Sequence, residues 1–238
     1  MVDINVEKGE RVTKALNEVF GDGKVIFIPT DVGNQVQLEN AFRVSIDHWR
    51  RLDIVVNNAG VFNENNWRLM MNVNAVGALQ GTLLALEYMS SKGKGGRGGV
   101  LINVSSISAI NSIFYGPIYA GTKNFIVGLS RSLGNEVYYD YNHVRILTLC
   151  PGATITNILG NFTVKEVLPI FFSPDEGPAA QAIKNDKYQR PSSVGKAFVF
   201  LIKKGSNGSV WVVEDDQLPY EVDFVGRKLM QKKKACQK

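Results

Sequence analysis

The sequence has little of what would place it in a specialised class. Its 238 residues include only two cysteines, Cys150 and Cys236, and two histidines, so neither a disulfide framework nor a zinc site is indicated. No unbroken apolar run approaches the roughly 20 residues of a membrane-spanning helix. Residues 1–10 lack the basic-then-apolar order of a signal peptide. We therefore expect a cytoplasmic protein with no membrane span and no metal site.

The net charge of +5 has a local origin. Residues 227–238 carry six basic side chains and no acidic one, and without them the charge is close to balanced. A short basic end is usually a solvated tail, so we predict no nucleic-acid partner. The length suits one domain, which we place at residues 1–226, followed by the basic tail.

Short apolar segments alternate with segments of helical periodicity along the chain. Strands are predicted at residues 25–28, 54–56, 100–104, 144–149 and 209–213, and helices at 12–20, 38–49, 69–89, 117–137 and 193–202. This alternation predicts an α/β fold with a doubly wound, Rossmann-like parallel sheet. Ligands of such sheets bind beyond the carboxyl ends of the strands, where Asp31–Val32, Asn57–Gly60, Ser105–Ser106 and Pro151–Gly152 are expected.

Tyr119 and Lys123 are the candidates for proton transfer. They are four residues apart on a predicted helix, so their side chains share one face. A neighbouring ammonium lowers the pKa of a phenol, ordinarily about 10. The pair could therefore act as a general base for alcohol oxidation or a general acid for ketone reduction. Ser106, at a predicted strand end, could hold the substrate oxygen beside the phenol.

The Tyr-x-x-x-Lys spacing alone is weak, because Tyr88 and Lys92 repeat it. The residue 13 positions before Tyr119 is Ser106, whereas the residue 13 positions before Tyr88 is Ala75, inside a predicted helix. We therefore interpret the Tyr88/Lys92 pair as a chance match, with Lys92 a solvated lysine near a helix end.

A second deceptive motif lies at residues 93–98, where Gly93, Gly95 and Gly98 match the spacing of a dinucleotide-binding fingerprint. That fingerprint binds phosphate only where it follows a strand and opens a helix. Here it follows a predicted helix and precedes a predicted strand, so we interpret it as a surface loop.

Taken together, these motifs resemble those of the short-chain dehydrogenase/reductase family over nearly the whole chain. Residues 57–67 and 150–156 are most similar to its NAD-linked 15-hydroxyprostaglandin dehydrogenase branch and to insect alcohol dehydrogenase-like members. The matching residues are Asp31, Val32, Asn57–Gly60, Asn74, Ser106, Tyr119, Lys123, Pro151, Gly152 and Thr156.

The resemblance implies a role for each catalytic position. Tyr119 would transfer the proton, and Lys123 would lower its pKa and bind the nicotinamide ribose. Ser106 would hold the substrate oxygen. Asn74 would kink its helix and hold a water in a proton relay. The substrate implied is a small apolar alcohol or ketone.

The resemblance also implies NAD as the cofactor. Asp3 would bind the adenosine ribose hydroxyls, and because an acid there repels a 2′-phosphate, NAD is favoured over NADP. The remaining cofactor contacts implied are Asp31 and Val32 at the adenine, Asn58, Ala59 and Gly60 along the cofactor, and Pro151, Thr154, Ile155 and Thr156 at the nicotinamide end.

One departure from the family concerns the start of the chain. Met1–Asp3 correspond to the end of the family's second strand, so its first strand, Gly-rich loop and first helix, about 30–40 residues, are expected to be absent. An alternative hypothesis is therefore a truncated, non-catalytic binding or dimerisation protein, and another is an NADP-linked carbonyl reductase. A homodimer or homotetramer is implied. Residues 158–172 could form an apolar lid or an ordinary helix.

Overall fold

The protein alternates strands and helices along most of its length. A computed structural model describes residues 1–160, 181–182, 185–226 and 228–230. The strands are β1 Val2–Asp3, β2 Ile28–Pro29, β3 Ile54–Asn57, β4 Gly99–Val104, β5 Val144–Pro151, β6 Val210–Val213 and β7 Tyr220–Glu221. The helices are α1 Val6–Phe20, α2 Gln35–Trp49, α3 Trp67–Met70, α4 Ala78–Met89, α5 Pro117–Leu133, α6 Glu136–Asn142, α7 Asn157–Gly160 and α8 Pro191–Lys204.

The described strands form two sheets. The larger has the order β3-β4-β5-β6-β7, in which the first four strands are parallel and β7 is antiparallel to β6. The smaller is the parallel pair of β1 and β2, with Val2 opposite Ile28 and Asp3 opposite Pro29. The predicted Rossmann-like α/β class is confirmed.

Both faces of the larger sheet are covered. Leu101 and Ile146 lie in register on neighbouring strands and pack with α2 and α4 through a cluster that includes Phe42 and Met89. The alternate residues of these strands point to the other face of the sheet and pack against α8. They form a cluster of Val100, Ile102, Leu147, Leu149, Ala197, Leu201 and Val213. The central strands β4 and β5 are nearly all apolar because neither of their faces meets water.

Several predicted elements differ in their bounds. The strand predicted at residues 25–28 is only Ile28–Pro29, because the Asn17 side chain bonds both the N–H and the C=O of Val25, at 2.9 and 3.0 Å. The helix predicted at 117–137 divides at Gly134, where a Cβ would lie 2.4 Å from the Gly208 backbone.

The sequence predicts no membrane span, but the helical stretch Glu64–Met89 is long and apolar enough to cross a membrane. It spans 26 residues with a mean hydropathy of 1.4 in its most apolar window, which meets that criterion among the described residues. A core helix of a folded protein passes the same test, but although Met70, Ala85 and Met89 are fully buried, only 39% of that window is buried. The sequence shows no unbroken apolar run there because Asn72 and Asn74 interrupt it.

A cavity of about 740 Å³ separates the small sheet from the large one. Its lining includes β1 on one side and β3 on the other. Ile54 and Val56 of β3 are 44% and 39% exposed, so this edge strand is less buried than the strands behind it. The cavity is also lined by Asn57–Val61 at the carboxyl end of β3, close to the candidate site.

Candidate active site

Ser106, Tyr119 and Lys123 converge at the carboxyl end of β4. Ser106 begins the short 3-10 turn Ile107–Ala109, and its Oγ accepts a hydrogen bond from the Ser108 N–H at 3.2 Å. The Ser106 side chain also lies close enough to Tyr119 to oppose the rise in its pKa. The Lys123 Nζ lies 5.6 Å from the centre of the Tyr119 ring. All three line one cavity of about 840 Å³.

Lys123 is a buried cation, only 3% exposed. Its Nζ donates to the Val104 carbonyl at 3.2 Å, and its own carbonyl accepts from the Ser105 hydroxyl at 2.8 Å. Burial lowers the pKa of Lys123 to about 8, because the charged form loses its hydration. The ammonium is thus fixed by the end of β4, but it is less firmly protonated than a surface lysine.

Tyr119 does not have the lowered pKa that the sequence predicted. Burial raises the pKa of Tyr119 to about 12, although Ser106 opposes that shift. Desolvation of the phenolate is the largest cause of this rise, and Lys123 contributes no lowering here, so the lowered pKa is not found in this structure. At neutral pH the phenol holds its proton, which suits it to donate to a substrate oxygen.

Asn74 lies behind these residues in a widened helical turn. The segment Met71–Gly77 between α3 and α4 is π-helical, and Asn74 within it is fully buried. Its amide exchanges two bonds of 2.8 Å with the backbone of Val61 and donates to the Thr122 hydroxyl at 3.3 Å. The amide therefore joins the loop after β3 to α5, while its predicted part in a water relay stays a prediction.

Gly60 permits the close approach of that loop to the catalytic helix. A Cβ at this position would lie 3.3 Å from the Lys123 Nζ and 3.5 Å from the Asn74 Oδ1. A side chain here would crowd the Lys123 ammonium but would meet Asn74 only at ordinary contact distance, so the glycine mainly leaves room for Lys123.

The predicted adenosine contacts line the other cavity. Asp3, Asp31, Val32, Asn58, Ala59 and Gly60 all border the 740 Å³ space, and Asp3, Asn58 and Gly60 border both cavities. The two spaces are therefore adjacent and share this part of their walls. The Asp3 Oδ1 accepts the Asn5 N–H at 2.8 Å, and the Asp31 Oδ1 accepts the Gly33 N–H at 2.9 Å.

The segment after β5 is only partly placed as predicted. Pro151, Thr154 and Thr156 line the larger cavity, whereas Ile155 lines neither cavity and is 61% exposed. The backbone of this segment runs beside Gln189, which bonds both the N–H of Ile155 and the C=O of Ala153.

Sequence reasoning missed two buried polar residues that support this site. Gln189 is fully buried, and its Nε2 donates to the Thr154 hydroxyl at 3.2 Å and to the Val213 carbonyl at 2.8 Å. Glu64 is fully buried beneath the start of α5. A single Gln or Glu in a polar stretch carries no recognisable spacing, so neither had a sequence signal.

The two deceptive motifs lie away from the cleft. Tyr88 is on the last turn of α4, and Lys92 lies beyond the end of that helix. Residues 93–98 connect α4 to β4 through turns, so their glycines follow a helix as predicted. Residues 161–172 of the predicted lid, and 227 and 231–238 of the predicted basic tail, lie outside the described residues.

Sequence comparisons agree with this arrangement. The family described as short chain dehydrogenase matches residues 1–166. A 15-hydroxyprostaglandin dehydrogenase [NAD(+)] of Rattus norvegicus is 37% identical over 211 residues, covering 88% of this chain and 79% of the relative. The Homo sapiens enzyme of that name is 42% identical over 166 residues, 70% and 62% of the two chains. Alcohol dehydrogenase 1 of Ceratitis capitata is 31% identical over 207 residues, 87% and 78% of the two chains.

Solved structures share the fold. A 3-ketoacyl-(acyl-carrier-protein) reductase from Brucella melitensis, complexed with NADH, superposes with a TM-score of 0.72 at 20% identity, covering 90% of this chain and 84% of that one. Levodione reductase gives the same TM-score and coverage at 24% identity.

Proposed function

Because this chain belongs to the short-chain dehydrogenase/reductase family, we propose that it is an NAD-dependent oxidoreductase that interconverts a secondary alcohol and a ketone. The observation that carries the proposal is the convergence of Ser106, Tyr119 and Lys123 on one cavity. Asp3 borders this cavity and the adjacent one, so a bound ligand could contact Asp3 as well as these three residues.

The residues of the cleft fit NAD at both ends. Lys123 and Tyr119 would hold the nicotinamide ribose, with Thr154 and Thr156 beside the ring. Asp3 would bind the adenosine ribose hydroxyls, and Asp31 and Val32 would flank the adenine. When bound, NAD supplies the acceptor or donor of the hydride.

The proton steps follow from the protonation state of Tyr119. With a pKa of about 12, the phenol donates its proton to the oxygen of a ketone as that oxygen gains charge. In alcohol oxidation the phenolate must accept the proton, so oxidation is expected to speed up towards alkaline pH. Ser106, which lines the same cavity as the phenol, would keep the substrate oxygen within reach of both hydroxyls.

The substrate proposed is an apolar or lipid-like secondary alcohol. The relatives named 15-hydroxyprostaglandin dehydrogenase support this class. The part of the cleft around Tyr119 is also lined by apolar side chains, including Phe62, Ile113, Val194 and Phe198. Such side chains would remove the apolar surface of a substrate from water.

We further propose a cytoplasmic homodimer or homotetramer built through the long helices. Large apolar side chains are exposed along them, with Val76 39%, Leu83 52% and Phe125 41% exposed. A protein–protein contact would remove these surfaces from water. Static light scattering on the purified chain determines the number of subunits, and a monomer would contradict the proposal.

The mechanism is tested by following NADH absorbance with a panel of secondary alcohols. Tyr119→Phe keeps the ring but removes the proton, so turnover should fall by about 10²–10⁴-fold. Turnover that survives this substitution would contradict the proposed mechanism.

A second candidate is a non-catalytic binding or dimerisation protein. One observation favours it: in the described part of the chain, β1 and β2 pair only with each other and not with the larger sheet. Calorimetric titration of the whole chain with NAD and with NADP distinguishes the candidates. A folded circular-dichroism spectrum without NAD binding would favour the second, and preference for NADP would favour an NADP-linked reductase.

A further inference from the structure

A buried acid lies directly beneath the catalytic helix. Glu64, in the 3-10 turn Glu64–Asn66 that precedes α3, has no exposed surface. Its Oε1 accepts the Tyr119 N–H at 2.8 Å and its Oε2 accepts the Ile118 N–H at 3.1 Å. Burial raises the pKa of Glu64, and these two bonds oppose the shift. A buried carboxyl is costly unless it is well bonded, so its position calls for an explanation.

The start of α5 explains why the acid is needed. The helix begins at Pro117 after Gly116, which has no capping side chain. The next two N–H groups, those of Ile118 and Tyr119, are the donors that an N-cap Ser, Thr or Asp would ordinarily satisfy. A Cβ at Gly116 would lie 2.9 Å from the Phe62 ring and 2.9 Å from Ile113. A capping side chain therefore has no room at Gly116.

Glu64 supplies the missing cap from 54 residues upstream. Both of its oxygens are used, one for each free N–H. The carboxylate also places negative charge at the positive end of a 17-residue helix, which is favourable electrostatically.

Tyr119 is thereby held at two points. Glu64 fixes its backbone N–H, and Phe62, two residues before Glu64, packs its ring against the Tyr119 ring at 4.9 Å between centres. One short loop after β3 therefore sets both the start of the helix and the tilt of the phenol.

We propose that Glu64 is a positioning residue for Tyr119: it caps α5 in place of Gly116 and so fixes the phenol relative to Ser106 and Lys123. This inference rests on the proposed function for its catalytic consequence. Glu64 bonds backbone groups and does not line the cleft with Tyr119, so it acts on the reaction only through the placement of Tyr119.

The test compares Glu64→Ala and Glu64→Gln with the matched control Glu136→Ala. Glu136 is an exposed acid in the first turn of α6, which has its own side-chain cap from Asn135. In Glu64→Ala, hydrogen exchange at the Ile118 and Tyr119 amides should accelerate at least about fivefold. Turnover should fall by about ten- to a hundredfold. Glu64→Gln, which keeps one acceptor oxygen, should recover part of both losses.

Each outcome decides the inference. Unchanged amide exchange in both Glu64 variants would overturn the cap. Faster exchange with full turnover, or an equal loss in Glu136→Ala, would overturn the positioning role. If Glu64→Ala does not fold, Glu64→Gln carries the same comparison.

A readout without turnover separates this inference from the proposed function. The ultraviolet titration of Tyr119, assigned by subtracting that of Tyr119→Phe, should move in Glu64→Ala from a pKa of about 12 towards the ordinary value of about 10. If no alcohol is oxidised by the wild type, the proposed function fails while amide exchange and this titration still decide the role of Glu64. An unmoved titration would overturn it.

Discussion

The two Tyr-x-x-x-Lys pairs of this chain have the same spacing and opposite surroundings. Lys123 is buried beside Tyr119, and burial lowers its pKa to about 8. The cation beside Tyr88 is Lys94 rather than Lys92, with its Nζ 4.9 Å from the ring centre. The pKa of Lys94 is raised, chiefly by its hydrogen bond with Glu87. Lys123 is therefore held away from water beside Tyr119, whereas the cation beside Tyr88, Lys94, is exposed.

The difference arises from where each helix meets the sheet. α5 begins at the carboxyl end of the parallel strands. Ser106 and the turn after β3 lie at the same end of the sheet. Tyr88 is near the end of α4, at the opposite edge, where the Gly98 N–H bonds the Met89 carbonyl just before β4 begins. A helical pair becomes a candidate for chemistry only where strand ends bring it partners, so spacing alone is not informative.

The largest expected contrast is in turnover. Lys123→Met should reduce the oxidation of secondary alcohols by about 10²–10⁴-fold, because it removes the ammonium from the cleft where the proton moves. Lys92→Met should leave turnover within about twofold, as expected for an exposed side chain away from the site. NADH absorbance measures both. Equal losses would break the distinction between the two pairs.

The next contrast concerns packing beneath the two pairs. Ile126 on α5 is 2% exposed and Met89 on α4 is fully buried. Ile126→Ala and Met89→Ala should each lower the free energy of unfolding by about 2–5 kcal/mol, as measured by urea denaturation. Val137→Ala, at a residue 74% exposed, is the control and should change it by less than about 0.5 kcal/mol. A much smaller loss in Met89→Ala would mean that the two pairs differ in packing as well as in position.

Much of the fold and the catalytic trio could be predicted because the signals are local. Apolar strands and helical periodicity placed β3, β4, β5 and β6 within a few residues, and parallel strands bring their ends together. Ser106, Tyr119 and Lys123 follow from that geometry.

The remainder depends on contacts between distant residues. β7 has only two residues, which are too few to show the alternation of apolar and polar residues that predicts a strand. The cap by Glu64 depends on the crowding of Gly116 by Phe62, which no spacing encodes. The pKa of Tyr119 is set by burial, whereas its neighbour Lys123 in the sequence suggested the opposite direction.

A third contrast is in the pH dependence of stability. The pKa of Lys123 is about 8 in the folded protein and about 10.4 in an unfolded chain. Between these values the unfolded state binds more protons, so the stability contributed by this residue rises with pH. Wild type should therefore gain up to about 3 kcal/mol relative to Lys123→Met over that window. Urea denaturation at a series of pH values measures the difference. A flat difference would mean that the ammonium is solvated.

The smallest expected effect is that of Tyr88→Phe, the counterpart of Tyr119→Phe. The Tyr88 ring stacks on Phe42 with centres 5.9 Å apart, and phenylalanine keeps that contact. Only the hydroxyl is lost, beside the exposed Lys94, so the free energy of unfolding should change by less than about 0.5 kcal/mol and turnover by less than about twofold. Urea denaturation and NADH absorbance measure the two quantities in the same preparation. A loss of turnover comparable to that of Tyr119→Phe would remove the reason for placing the chemistry at the carboxyl end of the sheet, because two identical substitutions at opposite edges would then have the same effect.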